Sequence, residues 1–351
     1  MNKYWSSRLA GIKPYVPGEQ PKDEKLIKLN TNENPYPPSP KVMEAVMSVS
    51  APQYRLYPDP ECSSLISAIS ETHGVRPEQV FVGNGSDEVL AFSFMAFFSP
   101  GKEIVFGDIT YSFYPVYADI FGLDYRQIPL NEDFTYDVDA FCGNNCGVVI
   151  CNPNAPTCID MGTENVEKIL AANPDAVVIV DEAYVDFGGE SSLGLLDRYP
   201  NLLIVRTFSK SRALAGLRVG YAIGSKDLIA GLNAVKNCFN SYTIDRVALA
   251  AAEAAVRDVD YFEATRAKIT ASRDRTVAAL RELGFTVTDS KTNFVFAKYP
   301  GISGNDLFTA LRKRGILVRH FSAPRIDDWL RITIGTDEDM DTLINTLKEI
   351  V

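Results

Sequence analysis

Histidine is nearly missing from this chain: His73 and His320 are the only two in 351 residues. That inventory all but excludes a Ser-His-Asp triad or a multi-histidine metal centre. Cysteine is sparse as well, with six residues (Cys62, Cys142, Cys146, Cys151, Cys158, Cys238), too few for a disulfide framework at this length. Four of the six fall between Cys142 and Cys158, separated by three, four and six residues. No Cys-x-x-Cys pair occurs there, so small thiols buried beside a strand are expected and no metal is. Positive charge is in deficit: the net charge is −10, which argues against nucleic acid as the main partner. No apolar run approaches the length of a bilayer crossing, and Met1 to Arg8 lacks the continuous apolar core of a signal peptide. A cytoplasmic protein without a membrane partner is the expectation. Two phosphate-binding fingerprints are also missing. Gly83-Asn84-Gly85 has Glu88 where Gly-x-Gly-x-x-Gly needs its third glycine, and no segment matches Gly-x4-Gly-Lys-Ser/Thr.

What is present centres on residues 201–224. Leu202 to Val205 and Val219 to Ile223 have the length and β-branched content of buried strands. Between them lie Thr207, Ser209, Lys210 and the arginines Arg206, Arg212 and Arg218. A cationic, hydroxyl-rich turn between two buried strands suits a phosphate. A lysine held there away from water has its pKa lowered and serves as an amine nucleophile.

Elsewhere the chain, long enough for one large or two ordinary domains, alternates strand and helix. The first forty residues read as a proline- and asparagine-rich arm. Helices are predicted over Pro40–Val49, Glu61–Thr72, Val89–Phe98 and Thr163–Ala172, and strands over Gln79–Val82, Glu103–Phe106, Asp124–Ile128 and Gly147–Ile150. The turn at Gly83–Glu88 opens a helix and so offers free N–H groups to an anion, although capping alone would account for Ser86. Phe113 and Tyr114 read as core. Ala176–Val180 is a continuous apolar strand that ends in Asp181, a costly place for a charge unless a cation meets it. Beyond Lys226 come three helices to Leu283. Strands then follow at Phe285–Val287, Asn293–Lys298, Ile316–Arg319 and Leu330–Ile334, with helices started by Ser303/Asp306 and Thr336/Asp339.

A lysine, a strand-end aspartate, an anion-binding helix start with arginine and hydroxyls, and nearby aromatics together form the set that pyridoxal 5′-phosphate (PLP) requires. At Asn30-Thr31-Asn32-Glu33-Asn34-Pro35, Thr207-Phe208-Ser209-Lys210, Leu214-Ala215-Gly216-Leu217-Arg218-Val219-Gly220 and Leu330 to Thr336, the chain resembles fold-type-I PLP-dependent aminotransferases. Within them it is most similar to the histidinol-phosphate aminotransferase family, over essentially its whole length. The resemblance implies an α/β fold, with a mostly parallel sheet flanked by helices in a large domain and a smaller α+β domain. The large PLP-binding domain is expected at residues 40–257, and the small one at 1–39 plus 258–351. It implies that Lys210 is the Schiff-base lysine and proton carrier. Asp181 would face the pyridine nitrogen, Tyr184 bond the ring oxygen and Tyr111 stack on the ring. Ser86, Asp87, Thr207, Ser209 and Arg218 would hold the phosphate, with Tyr57 reaching in from a second subunit of a homodimer. Arg331 would take the substrate carboxylate, Arg319 the substrate phosphate, and Tyr15 a further substrate contact. The implied reaction is amino transfer between L-histidinol phosphate and 2-oxoglutarate, in histidine biosynthesis. The alternatives are an aromatic amino-acid aminotransferase, a threonine-phosphate decarboxylase, and a non-catalytic PLP-binding regulator.

The chain departs from the family pattern in three places. In Asn152-Pro153-Asn154-Ala155-Pro156-Thr157-Cys158, alanine replaces the usual second asparagine and cysteine the usual glycine. The missing asparagine would bond the ring oxygen, which leaves Tyr184, or Asn154 reaching in, to hold it. Pro37 stands where glycine is common, which stiffens the arm.

Overall fold

A run of β-branched residues has little to gain from a helix and much from a sheet buried on both faces. Val178, Ile179 and Val180 have no exposed surface, each contributing about 1.5–3 kcal/mol of burial. The structure, a computed structural model, describes residues 3–6, 9–21, 26–143 and 145–351. Met1, Asn2, Ser7 and Arg8, part of the stretch read above for a signal peptide, lie outside the described residues.

In chain order the first half comprises β1 (Ile27–Lys28), α1 (Pro40–Ser48), α2 (Ser63–His73), β2 (Val80–Gly83), α3 (Gly85–Phe97), β3 (Ile104–Gly107), α4 (Tyr114–Phe121), β4 (Tyr125–Ile128) and β5 (Val148–Cys151). There follow α5 (Thr163–Ala172), β6 (Val178–Asp181), β7 (Leu202–Thr207), β8 (Gly220–Gly224), α6 (Lys226–Phe239), α7 (Arg246–Arg257) and α8 (Val259–Glu282). The chain closes with β9 (Thr286–Val287), β10 (Phe294–Lys298), α9 (Gly304–Lys313), β11 (Ile316–Leu317), β12 (Arg319–His320), β13 (Leu330–Thr333) and α10 (Asp337–Ile350).

Seven strands form the central sheet in the order β2-β8-β7-β6-β5-β3-β4, parallel except for β8. Helices cover it, as a parallel sheet requires. On one side α1 and α2 pack on α7 around Val42, Leu65, Ile69, Ala251 and Ala252. A second, antiparallel sheet runs β12-β13-β10-β9, and β1 pairs in parallel with β11. The carboxyl ends of β5, β6 and β7 open together, which is where ligands gather in open α/β sheets.

Three local expectations are corrected. Helix α3 starts at Gly85 rather than Val89. Asp87 and Glu88 favour the positive end of the helix dipole, and Glu88 Oε2 accepts the Asn84 N–H at 2.6 Å. Ser86 therefore sits inside the first turn and caps nothing. The single strand expected over Ile316–Arg319 is two, β11 bound to the arm and β12 to β13. The arm, expected to be loop throughout, supplies β1. Among the described residues no helix is long and apolar enough to cross a membrane, and no group of three or more His, Cys, Asp or Glu side chains is placed to hold a metal.

Candidate active site

A cavity of about 370 Å³ lies at the carboxyl end of the central sheet. Asp181, the last residue of β6, forms part of its wall. The carboxylate is buried; Tyr114 Oη donates to its Oδ2 at 2.9 Å and the Ala183 N–H to its Oδ1 at 3.2 Å. Burial pushes its pKa up to about 6, against the pull of those two donors. Among the described residues no cation pairs with it, so the pocket holds a buried acid suited to a positively charged ligand atom.

Lys210 follows β7 and enters the same cavity. Its Nζ donates to the carbonyl of Thr31 at 3.2 Å and lies 5.8 Å from the centre of the Tyr184 ring. Burial first, and the Arg331 guanidinium second, lower its pKa to about 8, against the pull of Glu33 and Asp87. Tyr184 Oη accepts from Asn32 Nδ2 at 3.0 Å, and burial raises the phenol well above its ordinary range.

The far end has the groups that could hold an anion. Ser86 and Asp87 occupy the first turn of α3, where backbone N–H groups lack helical partners. Arg218, in the left-handed conformation at φ 54°, reaches Asp87 Oδ2 at 2.8 Å and Ser209 Oγ at 3.3 Å. Thr207 Oγ1 accepts the Ser209 N–H at 3.1 Å. Two glycines allow this closeness. A Cβ at Gly220 would stand 2.3 Å from the backbone nitrogen of Ser86, and one at Gly85 would stand 2.6 Å from Arg218 Nη2.

Aromatic rings and two arginines close the opening. Tyr111 donates to Asp87 Oδ1 at 2.8 Å, and Tyr15 stacks on Phe113 with centroids 4.4 Å apart. Arg331 Nη2 donates to the Asn30 carbonyl at 3.0 Å, while its buried Nε has no partner among the described residues. Arg319 lines the same cavity and lies over Phe321.

The cavity thus brings together Tyr15, Ser86, Asp87, Tyr111, Asp181, Tyr184, Thr207, Ser209, Lys210, Arg218, Arg319 and Arg331. Two expected residues lie elsewhere. Asn154 does not line the cavity and cannot stand in for the asparagine missing at Ala155. Its Oδ1 accepts from Thr110 and Tyr136, and its Nδ2 donates to Ile109 O and Thr157 Oγ1, so the amide is fully committed. Tyr57 is 77% exposed and stacks on Tyr242, away from this cavity. Sequence reasoning missed Tyr114, taken for plain core although it stands three residues after Tyr111, and Asn32, whose surroundings nothing local announces. Cys158, where glycine is usual, adopts φ 71°, a conformation that explains the glycine preference. Its thiol donates to the Phe294 carbonyl at 3.5 Å.

The chain matches the aminotransferase class I and II family over residues 24–347. It is 56% identical over 351 residues to the histidinol-phosphate aminotransferase of Clostridium acetobutylicum, covering 100% of both chains. The chain belongs to the histidinol-phosphate aminotransferase family. The enzyme of that name from Acinetobacter baumannii is 54% identical over 350 residues, covering 99% of this chain and 97% of its own. The fold is also that of the histidinol-phosphate aminotransferase of Sinorhizobium meliloti, solved in complex with pyridoxal-5′-phosphate. That match has a TM-score of 0.84 and 24% identity, and covers 93% of this chain and 92% of the other. Ala155 itself lines the cavity, where the resemblance leads one to expect an asparagine.

Proposed function

We propose that this chain transfers an amino group reversibly between L-histidinol phosphate and 2-oxoglutarate, giving glutamate, with PLP as cofactor. The observation that carries the reading is that Lys210, Asp181 and the Ser86–Arg218 cradle open into one cavity. The residues fit the group. A buried acid without a cation awaits a pyridinium, a lysine with a lowered pKa awaits a carbonyl, and two glycines leave room for an anion at a helix start. When bound, PLP supplies a carbonyl that amines condense with and a ring that accepts the electron pair released at the substrate carbon.

The chain's own residues do the rest. Asp181 holds the proton on the pyridine nitrogen by ion pairing. Lys210, mostly neutral above about pH 8, would be the amine that anchors the cofactor and would accept and return the substrate's α-proton. Tyr184 would donate to the ring oxygen and Tyr111 would cover the ring. Ser86, Asp87, Thr207, Ser209 and Arg218 take the cofactor phosphate, the first two through backbone N–H groups. Arg319 takes the substrate phosphate, Arg331 the carboxylate of glutamate, and Tyr15 packs on the substrate. Guanidinium binds either anion through two parallel hydrogen bonds, so one pocket serves both halves of the reaction.

The proposal includes a homodimer in which the exposed Tyr57 ring reaches the phosphate end of the other copy's cavity. Residues 40–257 then form the large domain and residues 1–39 with 258–351 the small one, in keeping with the confinement of the seven-stranded sheet to 80–224. A cytoplasmic site of action agrees with six unpaired cysteines.

The test is the purified chain loaded with PLP and offered histidinol phosphate, phenylalanine and threonine phosphate side by side. A visible band from bound PLP and fastest amino transfer from histidinol phosphate are expected. Faster transfer from phenylalanine, or carbon dioxide release from threonine phosphate, would replace the substrate assignment. A band with no turnover of any amine would leave a PLP-binding regulator.

A further inference from the structure

The family's second loop asparagine is Ala155 here, so one hydrogen-bond donor to the cofactor's ring oxygen is missing, and Asn154 is committed elsewhere. Asn32 lines the same cavity, buried and in the left-handed conformation at φ 56°. Its surroundings fix it on three sides. Its backbone N–H donates to Thr333 Oγ1 at 3.0 Å, its carbonyl accepts from Asn293 Nδ2 at 3.1 Å, and its Oδ1 accepts from Thr333 Oγ1 at 3.2 Å. Because the Thr333 hydroxyl already accepts the backbone N–H, its own proton goes to Oδ1, which turns the amide nitrogen toward Tyr184. That nitrogen donates to Tyr184 Oη at 3.0 Å.

The direction of this bond matters. An amide nitrogen has no lone pair to offer, so Tyr184 cannot donate to Asn32. The phenolic oxygen is occupied as an acceptor and its single proton is left for the cavity. The titratable groups near Tyr184 are Arg331, Lys210, Asp181 and the Cys151 thiol. None is recorded in a hydrogen bond with the hydroxyl among the described residues.

We infer that Asn32 is a positioning residue: gripped by Thr333 and Asn293, it donates to Tyr184 Oη and thereby directs the tyrosine proton to the cofactor's ring oxygen, for which Tyr184 is the donor that remains beside Ala155. The inference rests on the PLP reading above. It predicts that the N-terminal segment and strand β13, neither of which carries Tyr184, set the proton affinity of the bound cofactor.

The test is a double-mutant cycle on the loaded protein, read as the pH midpoint of its visible band rather than as activity. A hydrogen bond donated to the ring oxygen favours the deprotonated form, so weakening that bond raises the midpoint. Asn32→Ala is expected to raise the proton affinity about tenfold, or about one pH unit. In a Tyr184→Phe background the same change is expected to shift it less than about twofold. An unchanged midpoint in Asn32→Ala, or an equal shift in both backgrounds, overturns the inference. Loss of thermal stability with an unmoved midpoint means Asn32 is structural only, and also overturns it. Should Asn32→Ala not fold, Asn32→Asp keeps the shape and tolerates the positive φ; for it only the difference between the two backgrounds is read. A wild-type chain that forms no visible band with PLP refutes the PLP reading itself, whereas a wild type that binds with an inert Asn32 refutes this inference alone.

Discussion

The hydroxyl of Tyr114, on a ring with no exposed surface, donates to Asp181 Oδ2 at 2.9 Å. The bond holds the acid down: burial alone pushes Asp181 up, and the Tyr114 hydroxyl and the Ala183 N–H restrain it at about 6. A hydrogen bond to a charged group is worth about 1.5–3 kcal/mol, or about one to two pH units. Tyr114→Phe is therefore expected to raise Asp181 above 6 in the cofactor-free protein, measured by NMR of carboxyl-labelled aspartate. PLP affinity falls with it at neutral pH, because less of the carboxylate is ionised to meet the pyridinium. An Asp181 titration unchanged in the variant would show the bond to be idle.

The same acid sets a stability trend. Its folded pKa, about 6 against an ordinary 3.8, lies above the unfolded one, so the cofactor-free fold loses stability as pH rises between those values. The full penalty is about 3 kcal/mol. Asp181→Asn is expected to stabilise the cofactor-free protein by about this much above pH 6 and to have little effect below pH 4, in urea unfolding at both pH values.

Lys210 titrates the other way. With its pKa near 8, the neutral amine rises about tenfold between pH 7 and pH 9 and then levels. The rate at which the cofactor-free protein develops a visible band with added PLP should follow that curve, and Lys210→Arg should develop none at any pH. Arg331→Gln removes the second largest cause of the lowering, so the plateau moves to higher pH. A rate still climbing steeply above pH 9 in the wild type would mean an ordinary lysine.

At Gly220 the wall of the cradle is backbone on backbone. An added Cβ lies 2.3 Å from Ser86 N and 2.5 Å from Gly85 C, atoms that cannot swing aside. Gly220→Ala is expected to cost about 1–3 kcal/mol and to weaken PLP and inorganic phosphate together, because the start of α3 must move. Calorimetric titration with each ligand checks this. Weakening of PLP with phosphate unaffected would place the damage elsewhere.

Behind the cavity, Glu182 and Arg206 form a buried pair at 2.8 Å, joined by Ser191 and the Ser192 N–H. The pair ties the residue after Asp181 to the strand that leads to Lys210. Arg206→Met strands a buried carboxylate and is expected to cost about 3–5 kcal/mol. Adding Glu182→Gln, which keeps an acceptor for the Ser192 N–H, should return more than half. Urea unfolding of the wild type and the two variants tests the sign of the recovery.

Much of the fold is local and so readable in one dimension. The helix over Thr163–Ala172 agrees residue for residue with its apolar spacing. Ser303 accepts the Asp306 N–H and Thr336 the Asp339 N–H, as their spacing of three requires. Val178 to Val180 run unbroken into Asp181, and a carboxylate after such a run announces a partner. Tyr114 shows where that reading stops. Aromatic and apolar neighbours correctly indicate burial, but its hydroxyl answers to an acid 67 positions away. The strand expected over Ile316–Arg319 divides because β11 finds the arm and β12 finds β13. No propensity within those four residues encodes two partners.

Composition, periodicity and strand-end chemistry determined the α/β alternation and marked out the lysine, the strand-end aspartate and the helix-opening turn that share one cavity. These depend on residues within a turn or a strand of one another. Only the folded chain decided that Asn154 is spent on Thr110, Tyr136 and the loop, while Asn32, 152 positions before Tyr184, turns its amide onto that phenol. The reason is that a side-chain hydrogen bond forms with whichever group the packing of distant strands brings within about 3 Å, and the spacing of residues along a chain carries no record of that distance.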